Sequence, residues 1–294
     1  MIRADGDGEP GVGGVVDLSG SVDVRPLRTH GEFQACVELQ RLTWGADFED
    51  VVPASLLKVV PRIGGVVAGA FDASGRLLGF VFGLTGLEGG RIAHWSHMLA
   101  VHPAVRNHGI GRRLKEYQRE TLLGLGVESV FWTFDPLVAR NAHLNLTRLG
   151  AEVVDFYPDM YGRTGSILHT MGTDRLVVVW RIGARRGRDA SAVGDARSAE
   201  VAAAPVVNRG PDGGPAVVGE ALEGHPLIRI EVPSDIEALR SSSESLALRW
   251  RDSIRQSFLR YLGDGYRVVG FYRGLEDGRC HYALAFGPSI EGST

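Results

Sequence analysis

Apolar positions alternate with polar ones through residues 22–27 and then recur from Phe33 through Val37 to Trp44. A short strand should therefore feed an amphipathic helix capped by Thr29. Pro53 is placed to open a second helix through Leu56, Leu57 and Val60. Two apolar runs, 65–71 and 77–84, are joined by Asp72-Ala73-Ser74-Gly75, a sequence that predicts a hairpin. A long strand over 92–101 ends at His102-Pro103, and a helix should begin near Gly109 and stop at Gly124 to Gly126. Residues 127–134 read as a strand closed by Asp135-Pro136. Residues 141–149 read as a helix closed by Gly150, and 151–156 and 175–182 as two further strands. The order β-α-α-β-β-β-α-β-α-β-β describes a mixed α/β layer.

The pattern changes after Gly183. Arg185, Arg186 and Arg188 lead into sequence rich in Ala, Gly and Pro, which suits a linker or long loop. Strand signal returns at 227–232, and Ser234 or Asp235 can cap a short helix. Leu246, Trp250, Ile254 and Phe258 recur at helical spacing over 244–262, and 266–272 and 281–286 read as strands. The expected division is a tail at 1–20, a main domain at 21–183, a linker or loop at 184–224 and an α+β extension at 225–294. The Gly-rich start also holds Gly11-x-Gly13, but no strand precedes it and no helix follows, so it reads as tail rather than nucleotide loop.

Composition narrows the function classes. The formal net charge of −3 gives no electrostatic reason to expect nucleic acid or an anionic membrane as partner. No apolar run reaches the roughly 18 residues of a spanning helix, and the first residues lack a signal peptide's basic start and apolar core. The two cysteines, Cys36 and Cys280, have no metal-ligand spacing and make a poor disulfide framework, so a cytoplasmic protein without a metal is expected.

The segment from Met98 to Leu114 carries the chemistry. Arg106-Asn107-His108-Gly109-Ile110-Gly111 lies between a strand and a helix start. Glycines at 109 and 111 let backbone approach a ligand closely, and the first amides of a helix have no partner within it. Such a nest suits phosphate oxygens, with Arg106 and Arg112 as flanking cations. An Arg-x-x-Gly-x-Gly hexamer alone also occurs in plain turns; its place between strand and helix sharpens the signal.

The run Leu99-Ala100-Val101-His102-Pro103 through Arg106-Asn107-His108-Gly109-Ile110-Gly111-Arg112-Arg113-Leu114 resembles the GNAT N-acyltransferase superfamily, over roughly residues 22–182. The resemblance implies a GNAT-like α/β fold, a mixed, splayed β-sheet flanked by helices. It also implies acetyl-CoA or another acyl-CoA as cosubstrate. Loop amides at Asn107, Gly109, Ile110, Gly111 and Arg112, with Arg106, would hold the pyrophosphate, and the strand bearing Leu99 and Val101 would pair with the pantetheine arm. A narrower resemblance rests on Ser96-His97-Met98-Leu99, Trp132-Thr133-Phe134-Asp135-Pro136-Leu137, Arg140-Asn141-Ala142, Thr173-Asp174-Arg175 and Trp250-Arg251. It points to predicted GNAT acyltransferases with a C-terminal extension, some associated with N-acylation of amino acids and with succinyl-CoA.

For the reaction, His97 on the central strand can take the proton of an attacking amine, since imidazole titrates in the right range. His94 and Ser96 fall on the opposite face, and each histidine also reads as a satisfied sheet residue. Asp135 either holds a substrate ammonium or makes the Asp-Pro turn. Asn141 either contacts the cosubstrate or caps its helix, and Asn145 one turn later shares both readings. Ser96, Arg251 and Arg255 are substrate-binding candidates; the two arginines share one helix face and can clamp a carboxylate or lie in solvent. The family's tyrosine acid would fall four residues before Gly150, where this chain has Leu146. Tyr157 and Tyr161 border the expected acceptor pocket. The expected acceptor is a small-molecule amine; homodimerisation stays open. The rival reading is a non-catalytic acyl-CoA-binding or sensing module, and a third, a lysine-tail acetyltransferase, lacks an acidic run to support it.

Overall fold

The computed structural model describes residues 21–162, 170–183, 199–211, 213–216, 224–274 and 279–287; the expected tail and much of the expected linker lie outside them. The chain forms two compact units, residues 1–86 with 96–126 and residues 87–95 with 127–294.

In the first unit, β1 (Asp23–Pro26) pairs antiparallel with β2 (Val66–Phe71), and β2 with β3 (Leu77–Glu88). The expected hairpin is built by Asp72, whose Oδ1 accepts from the Ser74 amide at 3.0 Å, the Ser74 hydroxyl at 2.7 Å and the Arg76 amide at 2.9 Å. Helix α1 (His30–Trp44) opens on a capping box between Thr29 and Glu32, and α2 (Ala54–Val59) follows Pro53. Phe33, Cys36, Val37 and Leu57 from these helices share a core with Phe80, Phe82 and Met98. Gln40 ties the connection down: its amide accepts from Val52 N at 2.8 Å and donates to Val52 O at 3.1 Å, both groups buried. The end of β4 (Arg91–Val101) and α3 (Ile110–Gly124) complete this unit, with Ile110, Leu114 and Leu122 buried.

In the second unit, β5 (Ser129–Phe134) pairs antiparallel with β7 (Arg175–Arg181), and β7 with β6 (Glu152–Tyr157). The start of β4 runs parallel to β5 through His94↔Val130 and Trp95↔Phe131. Hydrogen bonding gives a seven-stranded order β1-β2-β3-β4-β5-β7-β6 beside a three-stranded sheet, β8-β10-β9. The latter comprises β8 (Leu227–Val232), β9 (Tyr266–Arg273) and β10 (Cys280–Phe286), with α5 (Ile236–Ser242) and α6 (Glu244–Gly263) between β8 and β9. This is the expected mixed sheet with a smaller α+β C-terminal region.

Two segments differ from the residue pattern. The helix expected over 141–149 is a short α4 (Ala139–Ala142) followed by a π-helix, His143–Arg148. Its wider i→i+5 step is visible in Leu149 N donating to Leu144 O at 2.9 Å. Within the stretch that composition marks as a linker, residues 199–203 are helical and Val206 bridges Arg229 in parallel. Buried Asn208 then accepts from Glu231 N at 2.7 Å and donates to Glu231 O at 2.9 Å, in the manner of one more backbone unit beside β8.

Candidate functional site

In the first unit, β4 ends at Val101 and a 3-10 turn, Pro103–Val105, delivers the chain to the loop. Asn107 and Gly109 both have positive φ, 68° and 77°, so the chain twice enters the left-handed region before α3 starts. The first helical bond runs from Arg113 N to Gly109 O at 3.1 Å, which leaves the amides of Ile110, Gly111 and Arg112 ahead of any intrahelical acceptor. No acidic residue lies in the first turn to compete for the positive end of the helix. A Cβ at Gly109 would meet nothing within 4 Å, so the loop mouth is open, whereas one at Gly111 would meet Leu99 Cδ2 at 3.5 Å and Val101 Cγ2 at 3.8 Å. The loop, Leu99 and Val101 are thereby brought together. Arg106 Nε reaches back to Val101 O at 3.4 Å, and Arg112 pairs with Glu116 at 2.9 Å on the surface.

The two faces of β4 separate the other candidates. His97 keeps solvent access and packs its ring edge-on to Phe82, with centroids 5.9 Å apart. Desolvation lowers its pKa, and the Asp50 charge only partly opposes this. Ser96, on the other face, is buried and accepts a hydrogen bond from Lys115 Nζ at 2.8 Å. Residue patterning missed that lysine, which lies inside α3 next to Leu114; burial pushes its pKa down to about 7.

In the second unit, Asp135 terminates β5 and folds its carboxylate back on the Leu137 amide at 2.9 Å, so the turn reading describes it directly. The same carboxylate accepts from Arg251 at 2.9 and 2.6 Å, and Arg175 Nη1 lies 3.9 Å away. Arg255 reaches Asp174 at 2.5 and 3.0 Å and Asp159 at 2.8 Å. Neither arginine therefore lies loose on a solvated face. Tyr161 OH lies 3.0 Å from Thr133 Oγ1, and Arg175 stands over its ring at 5.3 Å. The C-terminal region grips the connection after β5 at further points: Tyr282 OH donates to Pro136 O at 2.9 Å, Arg140 pairs with Glu237 at 2.8 Å, and Thr147 Oγ1 donates to Phe271 O at 3.0 Å. Asn141 is half-buried in α4 and Asn145 is buried in the π-helix. Asp174 and Arg175 carried no separate signal beyond their place in the Thr173-Asp174-Arg175 motif.

With this geometry in hand, residues 33–150 match the model of the acetyltransferase (GNAT) family. No curated protein sequence matches the chain. Similar solved structures include aminoglycoside 6'-acetyltransferase type Ii, 19% identical with a TM-score of 0.44, covering 55% of this chain and 99% of that one. The ribosomal-protein-S18-alanine N-acetyltransferase from Escherichia coli is 15% identical with a TM-score of 0.44, covering 57% and 98%. An aminoglycoside 6'-N-acetyltransferase complexed with coenzyme A is 16% identical with a TM-score of 0.42, covering 56% and 99%. The GNAT match takes in the loop, α3, β5 and the π-helix, and ends before β6. Among the described residues no helix is long and apolar enough to cross a membrane, and no group of three or more His, Cys, Asp or Glu could hold a metal ion.

Proposed function

We propose that this protein transfers an acyl group, acetyl or succinyl, from CoA to the amine of a small molecule such as an amino acid. The observation that carries the reading is the loop from Arg106 to Arg112. Two left-handed residues and three unpartnered helical amides converge there at an open helix N-terminus, which is the donor set a pyrophosphate requires. Leu99 and Val101 border the same loop and would receive the pantetheine arm.

In the reaction, the amine nitrogen attacks the thioester carbonyl, the C–N bond forms, the C–S bond breaks, and one proton leaves the nitrogen. His97 takes that proton, directly or through water; its lowered pKa keeps the imidazole neutral and basic near pH 7. The thiolate leaves with Leu146 where the family's tyrosine would stand, so positioning supplies the larger part of the acceleration. Asp135 and Arg251 hold the turn after β5 in this reading, while Arg255 is engaged by Asp174 and Asp159, so all three contact substrate only indirectly.

The direct test measures free thiol released from acetyl-, propionyl- and succinyl-CoA against a panel of amines and amino acids. Turnover with one donor and an amine supports the proposal. CoA binding with no turnover across the panel would favour a sensing module, the reading to which Leu146 lends weight, and no binding of CoA would overturn both.

A further inference from the structure

The acyl transfer proposed above leaves one buried polar group of the first unit without a task. Lys115 lies on α3 between Leu114 and Glu116 and is only 4% exposed. Its Nζ donates to Ser96 Oγ of β4 at 2.8 Å and to Gln118 Oε1 at 3.4 Å, and both of these residues are buried as well. The helix seats itself with apolar side chains. Ile110, Leu114 and Leu122 are buried, and a Cβ at Gly79 of β3 would meet Leu114 Cδ1 at 3.3 Å and Ile110 Cγ2 at 3.4 Å. Apolar residues alone can seal such a helix against a sheet, whereas an amine taken out of water carries a desolvation cost. That cost is visible here, because burial lowers the Lys115 pKa to about 7. A costly polar group at a position that packing could fill marks a place where stability gives way to function.

What the lysine joins indicates that function. About one turn earlier, α3 begins with the amides of Ile110, Gly111 and Arg112, the donors of the phosphate nest. Ser96 is followed directly by His97, whose ring lies on the opposite face of β4 against Phe82. One hydrogen bond therefore connects the helix that would hold the cosubstrate to the strand that carries the proposed base. A strand fixed at Ser96 resists both twisting about its own axis and sliding along α3, and either motion would displace His97. We propose that Lys115 is a positioning residue for the transfer, holding β4 through Ser96 so that His97 keeps its place relative to the loop amides. The proposal rests on the reading of His97 as the base.

Ser96→Ala and Lys115→Met each remove one half of the bond, and Ser96→Ala does so by deleting a single oxygen. Steady-state kinetics of the full chain, with a donor and amine that wild type turns over, should show kcat about tenfold lower in each, since a misplacement of about 1 Å can cost about a hundredfold. KM for both substrates and the affinity for CoA should stay within about twofold of wild type, as for a loss confined to the transition state. The double variant should be no slower than either single one, because the two groups act as a unit. Wild-type kcat in Ser96→Ala, losses that multiply in the double variant, or a raised KM with unchanged kcat would overturn the proposal. Should Lys115→Met fail to fold, the kcat of Ser96→Ala decides. The His97 ring gives a readout that needs no turnover. Its Cε1–H resonance, assigned by its disappearance in His97→Gln, should shift or broaden in Ser96→Ala, and an unchanged resonance would overturn the link. That spectrum is recorded without CoA. A wild type that binds CoA but acylates no amine therefore sinks the acyl-transfer reading, while the ring still decides the link between Lys115 and His97.

Discussion

Arg251 faces Asp135 with both terminal nitrogens, Nη1 2.9 Å from Oδ1 and Nη2 2.6 Å from Oδ2. The side chains are only 6% and 15% exposed, so each charge depends chiefly on the other for its solvation, with Arg175 at 3.9 Å from Asp135 and Asp174 at 3.8 Å from Arg251 as weaker partners. Removing one partner leaves the other in low dielectric with only a distant opposite charge. Arg251→Met and Asp135→Asn should each destabilise the chain by about 3 kcal/mol, the cost of orphaning a buried charge. The double variant should lose much less than the sum. Urea denaturation of the four proteins gives the coupling; strictly additive losses would show that the pair is energetically idle.

The loop makes a graded prediction at Gly109. Its φ of 77° strains any other residue by about 1 kcal/mol, but the space around a Cβ is open. Gly109→Ala should therefore fold with a small loss of stability and retain measurable CoA affinity. Gly109→Glu brings a negative charge to the mouth of the phosphate nest and should abolish CoA binding in a titration while leaving the circular dichroism spectrum native. Retained affinity in the glutamate variant would place the cosubstrate elsewhere.

Gly79 has a steric reason to be glycine. A Cβ there would lie 2.8 Å from the carbonyl oxygen of Ala100 and 3.3 Å from Leu114 Cδ1. Backbone cannot yield as a side-chain tip does. Gly79→Ala should cost about 2 kcal/mol by forcing β3 away from β4, as in an overpacked core. A melting temperature equal to wild type would mean that the strands relax freely.

Much of this fold can be read from residue periodicity because its strands are either alternating or continuously apolar. Thr29, Pro53, Asp72 and Gly109 mark element starts and turns by their own chemistry. The loop is legible for the same reason: positive φ and unpartnered amides are properties that glycine and position announce locally. What escapes a reading along the chain is non-local. Asp135 and Arg251 are 116 residues apart, and neither side chain signals its partner. Lys115 looks like a solvated helix residue until β4 covers it. The π-helix keeps nearly the same apolar spacing as an α-helix, so its extra step is invisible. Asn208 lies in sequence whose Gly and Pro content suggests a loop, yet its amide completes the hydrogen bonding of β8.

Lys115 gives the chain a distinctive pH dependence. Its folded pKa of about 7 lies below its ordinary value of 10.5, so between those limits the unfolded chain binds a proton that the folded chain does not. Stability from this group therefore rises with pH across that window, by about 1.4 kcal/mol per unit where the difference is complete. Below pH 7 the cost of the buried ammonium is fully present. Lys115→Met removes the titration, so wild type should gain stability relative to this variant between pH 7 and 9.5, measured by urea denaturation at several pH values. A difference that stays flat over that range would show that the amine is solvated.

His97 supplies the last test, because a base and a packing residue leave different traces. Desolvation lowers its pKa, so the neutral form that accepts a proton persists to lower pH than for an ordinary histidine. The acid limb of kcat/KM should accordingly fall below the usual imidazole range, and activity should be lost as pH drops through that limb. His97→Gln preserves size and polarity against Phe82 but cannot accept the proton. It should lower kcat/KM about a hundredfold, within the range of general-base contributions, and remove the limb. The melting temperature and CoA affinity of the variant should remain near wild type, since the ring keeps solvent access and lies outside the loop. If His97 only packs on Phe82, the variant would instead lose stability and retain the wild-type pH profile.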